Sequence, residues 1–296
     1  MHTEPFRAEA GSLYVVATPI GNLRDITLRA LDLLASVDRI AAEDTRHTRV
    51  LLEAHGLAAR MTALHRHNEA AAADRVVQWL REGASVALVT DAGTPGVSDP
   101  GTRVVRAARE AGFAVVPVPG ASAVITALSA SGIESDGFRF EGFLPAKGEA
   151  RRARIRDLAD CTQAVVLYEA PHRIRETLQD LQSLLGPDRG LTVCRELTKR
   201  FESIADLRAG GAVEWLDGDP NRSRGEFVLL VHPARRSGAG AELAEGLRIL
   251  GPLLEELPAS QAARLAAKIS GARRGDLYDA ALRNAGRTGP AGGPDE

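Results

Sequence analysis

The sequence predicts an α/β protein, with two consecutive α/β domains followed by a small helical module. Three observations predict it. From Leu13 onward, short β-branched runs alternate with amphipathic helical stretches, the pattern of a parallel sheet covered by helices. From Phe138 the strand-like runs begin to outnumber the helical ones, which points to a mixed sheet. After Val231 the text changes to HPARRSGAGAE, a Pro/Gly/Arg/Ala linker without apolar periodicity, and then to helical sequence.

The elements follow in order. LYVVAT is the first strand, followed by a helix near Ile26 to Leu34, the strand VDRIAAE, a helix from about Arg46 to His55 and the strand MTALH. A helix around Glu69 to Arg81, the strand SVALVT, a helix after Pro100 and the strand AVVPV complete the first region. The second holds FRFEGFL, a helix through Arg151 to Leu158, AVVLYE, a helix after Pro171, LTVCREL and EFVLLV. In the last region LPASQAARLAAKISGARRGDLYDAAL reads as helix, glycine turn, helix. The expected organisation is a tail over 1–12, a parallel-sheet domain over 13–133 and a mixed-sheet domain over 134–233. A linker over 234–241, a helix-turn-helix-like module over 242–287 and a disordered tail over 288–296 follow.

The 296 residues carry 37 basic and 39 acidic side chains, a net charge of -2, with 44% hydrophobic and 4% aromatic residues. Those values exclude a disordered or collagenous chain and a chain-wide field for nucleic acid or membrane, so any basic surface is local. Only Lys147, Lys199 and Lys268 are lysines, which reads as codon or genome bias. Cys161 and Cys194 are too few for a disulfide framework and lack zinc-site spacing, so buried thiols in a reducing compartment are expected. No run approaches the ~18 apolar residues of a membrane span. The start, MHTEPFRAEAG, lacks the apolar core of a signal peptide, so a cytoplasmic location is expected.

The strongest motif is DAGTPGVSDPG, Asp91 to Gly101, directly after SVALVT. Gly93, Gly96 and Gly101 permit positive φ or close backbone approach to a ligand, while Pro95 and Pro100 stiffen the loop. Asp99 and Pro100 also suit an N-cap and first helical position, but eleven residues exceed the ~2 to 6 of a plain βα connection. TPIGNLRD (Thr18 to Asp25) and PVPGASAV (Pro117 to Val124) place Pro and Gly between a strand and a helix in the same way. Ligands of open α/β sheets bind outside the carboxyl ends of strands, so the three turns mark one active edge. Neither G-x-G-x-x-G nor a P-loop is present.

Other motifs are less specific. AEDTRHT puts Glu43 and Asp44 at a strand end, where Glu43 or Asp44 suits a base or a hydroxyl-binding group and Asp44 or Thr45 equally suits a helix cap. LHRHNE holds His65 and His67 on one side of a strand; a metal needs a third ligand that the sequence does not place. EGFLPAKGEARRARIR supplies Lys147, Arg151, Arg152, Arg154 and Arg156 against Glu149, which suits phosphate contacts or a solvated helix face. Ser260 to Arg287, including Arg273 and Arg274, holds six basic residues against two acidic, a second candidate for RNA phosphates or a solvated packing surface. Tyr168, in YEAPHRI, suits a cofactor pocket or ordinary packing.

LYVVATPIGNLRDIT, AAEDTRHT, LHRHNE, DAGTPGVSDPG, PGASAVITALSASG, EGFLPAKG, YEAPHR, RELTK and RGEFVLLV stand in this order. Together they resemble the bacterial small-subunit ribosomal RNA methyltransferase I family of the tetrapyrrole methylase superfamily. The resemblance runs from about Leu13 to Val231, and the basic helical tail is similar to the helix-turn-helix end of the same enzymes.

The resemblance implies two α/β domains of the tetrapyrrole methylase type with a cofactor cleft between them. It also implies S-adenosyl-L-methionine-dependent 2'-O-methylation of a cytidine in small-subunit ribosomal RNA near the decoding centre, by a homodimer. Pro19, Gly93, Thr94, Pro95, Val97, Ala121, Ser122 and Tyr168 match positions that line the methyl donor, and the Glu226 region matches the strand that closes the cleft. Thr94 replaces the Asp of porphyrinoid methylases, which argues weakly against a porphyrinoid substrate. Asp91 is the charged residue expected nearest the sulfonium, and Glu43, His65 and Lys147 are the candidates for polarising the ribose hydroxyl. Arg151, Arg152, Arg154, Arg273 and Arg274 are the expected RNA contacts, on free RNA or an assembled subunit, and the chemistry requires no metal. A porphyrinoid methylase and a non-catalytic RNA-binding module remain as alternatives.

Overall fold

A computed structural model describes residues 4–64, 69–234 and 238–285. The first half comprises β1 (Ser12–Val16), α1 (Leu28–Ser36), β2 (Arg39–Ala42), α2 (Thr45–Ala54), β3 (Met61–Ala63) and α3 (Glu69–Arg81). It continues with β4 (Val86–Val89), α4 (Thr102–Glu110), β5 (Ala114–Val118) and α5 (Ala123–Ser131). Its sheet has the order β3-β2-β4-β1-β5 with every pair parallel. β4 is apolar at each position because both faces of a parallel sheet are covered, and Val86, Ala87, Leu88 and Val89 are all buried. The helices bury one stripe each: α1 turns Ala30, Leu33 and Leu34 inward, and its N-terminus is capped by the Thr27 hydroxyl accepting from the Ala30 amide at 3.1 Å.

β1 lies between β4 and β5, so the three glycine- and proline-shaped turns leave the carboxyl ends of neighbouring strands. The N-cap that Asp99 also suits is not there. α4 begins at Thr102 with Gly101 (φ 130°) in the cap position, and the capping oxygen comes from α3. Glu69 Oε1 accepts from the amides of Gly101 (2.9 Å) and Arg103 (3.1 Å), leaving Asp99 to the loop. Glu69→Ala is therefore expected to lower stability by about 1 kcal/mol and to speed amide exchange at residues 101 and 103. A melting curve and exchange data identical to those of the parent would refute this cap.

The second half comprises β6 (Phe138–Phe143), α6 (Gly148–Asp157), β7 (Ala164–Glu169) and α7 (Ile174–Leu185). β8 (Gly190–Arg195), β9 (Ser203–Arg208), α8 (Ala209–Asp217) and β10 (Phe227–Val231) follow. The sheet runs β6-β7-β10-β8-β9, parallel at β6·β7 and antiparallel elsewhere, a mixed sheet as the sequence predicts. Ile20, Val124 and Ala127 from the first half share an apolar cluster with Val166, Cys194, Leu197, Val228 and Leu230 from the second. Residues 1–233 accordingly form one compact unit.

Residues 234–296 form the other unit, which holds α9 (Gly238–Glu256), α10 (Ala259–Ser270) and α11 (Arg274–Ala285). Its core is small: Leu250, Ala262, Ala263, Ala266, Leu277 and Ala281 are buried together. Gly271, at φ +79°, closes α10 in the left-handed conformation. The linker expected over 234–241 is shorter than that, because α9 starts at Gly238. Once the helix is packed further on, extending it by one turn costs only the poor propensity of two glycines, ~1 kcal/mol each. No helix among the described residues is long and apolar enough to cross a membrane.

Candidate active site

The three turns meet one another. Thr18 and Gly93 exchange backbone hydrogen bonds (2.9 and 3.0 Å), and the Thr18 hydroxyl donates to the Thr90 carbonyl at 3.0 Å. The Thr94 hydroxyl donates to the carbonyl of Ala121 at 3.3 Å, fastening the DAGTP turn to the PGAS turn. Gly93 sits at φ +80°, a conformation glycine adopts without strain.

These turns form one wall of a cavity of about 350 Å³. Ile20, Gly93, Thr94, Val97 and Ser122 come from the first half, and Tyr168, Glu169, Leu197, Glu226 and Phe227 from the second. Tyr168 packs edge-on against Phe140 and Phe143, with ring centroids 5.0 and 5.6 Å away. Burial, aided by the charge of Asp99 and opposed by a hydrogen bond from the Val124 backbone, pushes the Tyr168 phenol up to about 12, so it stays protonated. The lining holds three carboxylates, Asp99, Glu169 and Glu226, and among the described residues no Lys, Arg or His. Lys199 and Arg173, just outside the lining, partly balance Glu226 and Glu169, so the cavity offers apolar walls with an acidic edge and suits a ligand with apolar parts better than a phosphate.

Of the residues predicted to line the donor, Gly93, Thr94, Val97, Ser122 and Tyr168 do line this cavity. Pro19 and Pro95 are buried and lie outside the lining, and Ala121 contributes the carbonyl that holds Thr94. Asp91 is a correction: its carboxylate accepts from the Asp44 amide at 2.9 Å and meets His47 Nδ1 at 3.2 Å, so it fastens β4 to the start of α2 and does not face the cavity. Glu43 is another, because its carboxylate accepts the Thr90 hydroxyl at 2.5 Å and lies outside the lining. Asp44 is the N-cap of α2, and its hydrogen bonds from Arg46 hold its carboxyl well below the usual range. Lys147 is exposed at the start of α6 and also lies outside the lining, and His65 lies outside the described residues.

The basic stretch before and within α6 needs correction too. Arg151 is buried, giving Nε to Asp180 at 2.6 Å and Nη2 to Glu176 at 3.1 Å. Arg154 is held by Glu141, and Arg152 by Glu149. Carboxylates distant in sequence thus hold Arg151 and Arg154, and the neighbouring Glu149 holds Arg152, so charges that looked available for RNA are paired. Arg273 and Arg274 are exposed at the start of α11. Glu169 and Leu197 join the site without having been singled out: the first ends a buried strand, where a carboxylate is informative, and the second gives no local signal. Among the described residues no cluster of His, Cys, Asp or Glu is placed to hold a metal.

Two covered sheets with the ligand cavity between them define a tetrapyrrole methylase, and solved structures share the fold: uroporphyrin-III-C-methyltransferase from Thermus thermophilus superposes with a TM-score of 0.53 at 21% identity, covering 75% of this chain and 94% of that one. The chain belongs to the tetrapyrrole (corrin/porphyrin) methylase family, which matches residues 12–212. It is 51% identical over 274 residues to the ribosomal RNA small subunit methyltransferase I of Vibrio cholerae, covering 93% of this chain and 95% of that protein. It is 48% identical over 273 residues to the protein of that name from Haemophilus influenzae, covering 92% and 96%. Residues 240–285 match the RsmI C-terminal HTH domain.

Proposed function

We propose that the protein is an S-adenosylmethionine-dependent methyltransferase of small-subunit ribosomal RNA. It acts in the cytoplasm, as a homodimer, on the ribose 2'-oxygen of a cytidine near the decoding centre. The observation that carries the donor is the lining of the cavity, three carboxylates without a cationic side chain. The near-half identity to the rRNA methyltransferase I proteins, over more than nine-tenths of the chain, supports the substrate.

The residues present fit this donor. Ile20, Val97, Leu197 and Phe227 offer apolar walls to an adenine ring and a thioether chain, Thr94 and Ser122 bring hydroxyls, and the carboxylates favour a positive charge. Bound there, S-adenosylmethionine supplies a methyl group on a sulfonium. The three fastened turns hold the wall rigid, which suits a reaction in which fixing the attacking oxygen near ~3 Å from its target supplies much of the rate. The lining is more than half apolar residues, so closure by RNA over the mouth excludes water.

The test is transfer of label from S-adenosylmethionine to small subunits from a strain lacking this gene, with a porphyrinoid as competitor substrate. Labelling of one rRNA cytidine is expected, and labelling of the porphyrinoid alone refutes the reading. In the same assay Arg273→Ala with Arg274→Ala is expected to weaken rRNA binding about tenfold and to reduce its salt dependence by about two phosphate contacts, with donor affinity unchanged. An unaltered salt slope removes these arginines from the RNA surface.

A further inference from the structure

The turn after β8 is held in a costly conformation. Glu196 (φ +51°) and Thr198 (φ +66°) both lie in the left-handed region although neither is glycine, and such strain persists only where surrounding structure enforces it. Two glycines make room for it here. A Cβ on Gly21, from the first turn, would fall 2.5 Å from Lys199 Cγ, and one on Gly225 would fall 2.5 Å from the Glu196 carboxyl carbon. The space that both side chains vacate is filled by an ion cluster. Lys199 Nζ donates to Glu196 Oε1 at 2.9 Å and to Glu226 Oε2 at 2.8 Å, and Glu196 Oε1 also accepts from the Glu226 amide at 2.9 Å. Burial opposes charge on Lys199, but the two carboxylates outweigh it and raise its pKa, so the ammonium persists.

Glu226 differs from the other acids of the cavity. Its side chain is 78% exposed at the edge of the lining, and one oxygen is held by the Lys199 ammonium. Glu169 is 1% exposed and already accepts from the Thr177 hydroxyl (2.5 Å) and the Ala170 amide (2.8 Å), with Arg173 Nε at 3.4 Å. Asp99 exerts its charge on the Tyr168 phenol. We propose that Glu226 is the catalytic proton acceptor for the attacking ribose hydroxyl and that Lys199 is the positioning residue that aims it. The inference rests on the rRNA reading above. Glu226 takes the hydroxyl proton as the oxygen's lone pair forms its bond to the methyl carbon. The carbon–sulfur bond breaks with its electron pair left on sulfur, giving a neutral thioether, and the proton then passes to water.

The experiment compares the full-length chain with Glu226→Gln, Lys199→Met, Lys199→Arg and Asp99→Asn. It measures steady-state methylation of undermodified small subunits (kcat and KM), S-adenosylhomocysteine affinity by calorimetry, and rRNA affinity of the donor-free protein. Glu226→Gln is expected to lower kcat about 100-fold with both affinities within about threefold of the parent. Lys199→Met is expected to lower kcat about tenfold at unchanged KM, with Lys199→Arg restoring most of it. Turnover of Glu226→Gln within threefold of the parent overturns the proposal. So does loss of S-adenosylhomocysteine affinity in Glu226→Gln, which makes Glu226 a donor ligand, or loss of turnover in Asp99→Asn alone at unchanged S-adenosylhomocysteine affinity, which moves the proton there. An unmodified protein that leaves rRNA unlabelled refutes the rRNA reading instead.

Discussion

Gly93→Val is expected to abolish measurable donor binding while leaving the secondary structure intact. A Cβ at this position meets Ile20 Cγ2 at 3.6 Å and the Ala121 carbonyl at 3.9 Å, ordinary van der Waals distances, so crowding of the Cβ is not the cause. The cause is the backbone. At φ +80° an L-residue pays roughly 1–2 kcal/mol, and a β-branched one more, because its Cβ and branch press on the carbonyl. The loop relieves that strain by rotating the residue, which breaks both hydrogen bonds with Thr18 and shifts Thr94 away from Ala121. The wall of the cavity then loses its shape at the point where three turns meet. Calorimetry with S-adenosylhomocysteine should show affinity at least about 100-fold weaker, equivalent to about 2.8 kcal/mol. Gly93→Ala, without the branch, should fall between the two. Affinity within threefold of the parent in the valine variant would place the ligand elsewhere.

This dependence on one turn explains what the sequence made legible. Glycine and proline punctuate the chain where backbone geometry is unusual, and they do so locally, so DAGTPGVSDPG, TPIGN and PVPGAS could be read as ligand turns. Buried parallel strands such as Val86–Val89 are apolar at each position, which made the first sheet readable strand by strand. Side-chain partnerships across long stretches of sequence were not readable. Asp99 also suited a helix cap until Glu69, thirty-two residues before Gly101, proved to supply the capping oxygen. Glu43 and Asp91 looked like site acids, yet they fasten strand ends to each other and to α2. β9 and α8 escaped notice for a different reason. SIADLR is an edge strand whose apolar residues fall on both faces, Ile204 on one and Ala205 and Leu207 on the other, and AGGAVEWLD carries two glycines, so neither shows a strong apolar period. The Glu226 region was visible as the strand that closes the cleft; the link of Glu226 to Lys199 was not, because it depends on β8 and β10 being antiparallel neighbours.

The same blindness to distant partners makes Arg151 the most consequential reversal, with a large expected effect on stability. The residue opens a run of arginines that suits phosphate contacts, but its side chain is 4% exposed and ion-paired to Asp180 and Glu176 of α7. Burial works against its charge, and the two carboxylates raise its pKa despite that penalty. Arg151→Met keeps much of the stem volume and removes the guanidinium. Asp180, only 15% exposed, is then left with Arg152 at 3.9 Å as its nearest cation. Removing one partner of a buried pair costs about 3 kcal/mol or more, since the remaining charge loses its compensation. At the scaling for domains of this size that corresponds to a fall of about 10 °C in Tm. Adding Asp180→Leu should recover part of the loss, because an apolar pair no longer strands a buried charge. The rRNA affinity of the folded fraction should match that of the parent. A variant that melts with the parent but binds rRNA tenfold more weakly would return Arg151 to the RNA surface and show that the pair with Asp180 opens in the complex.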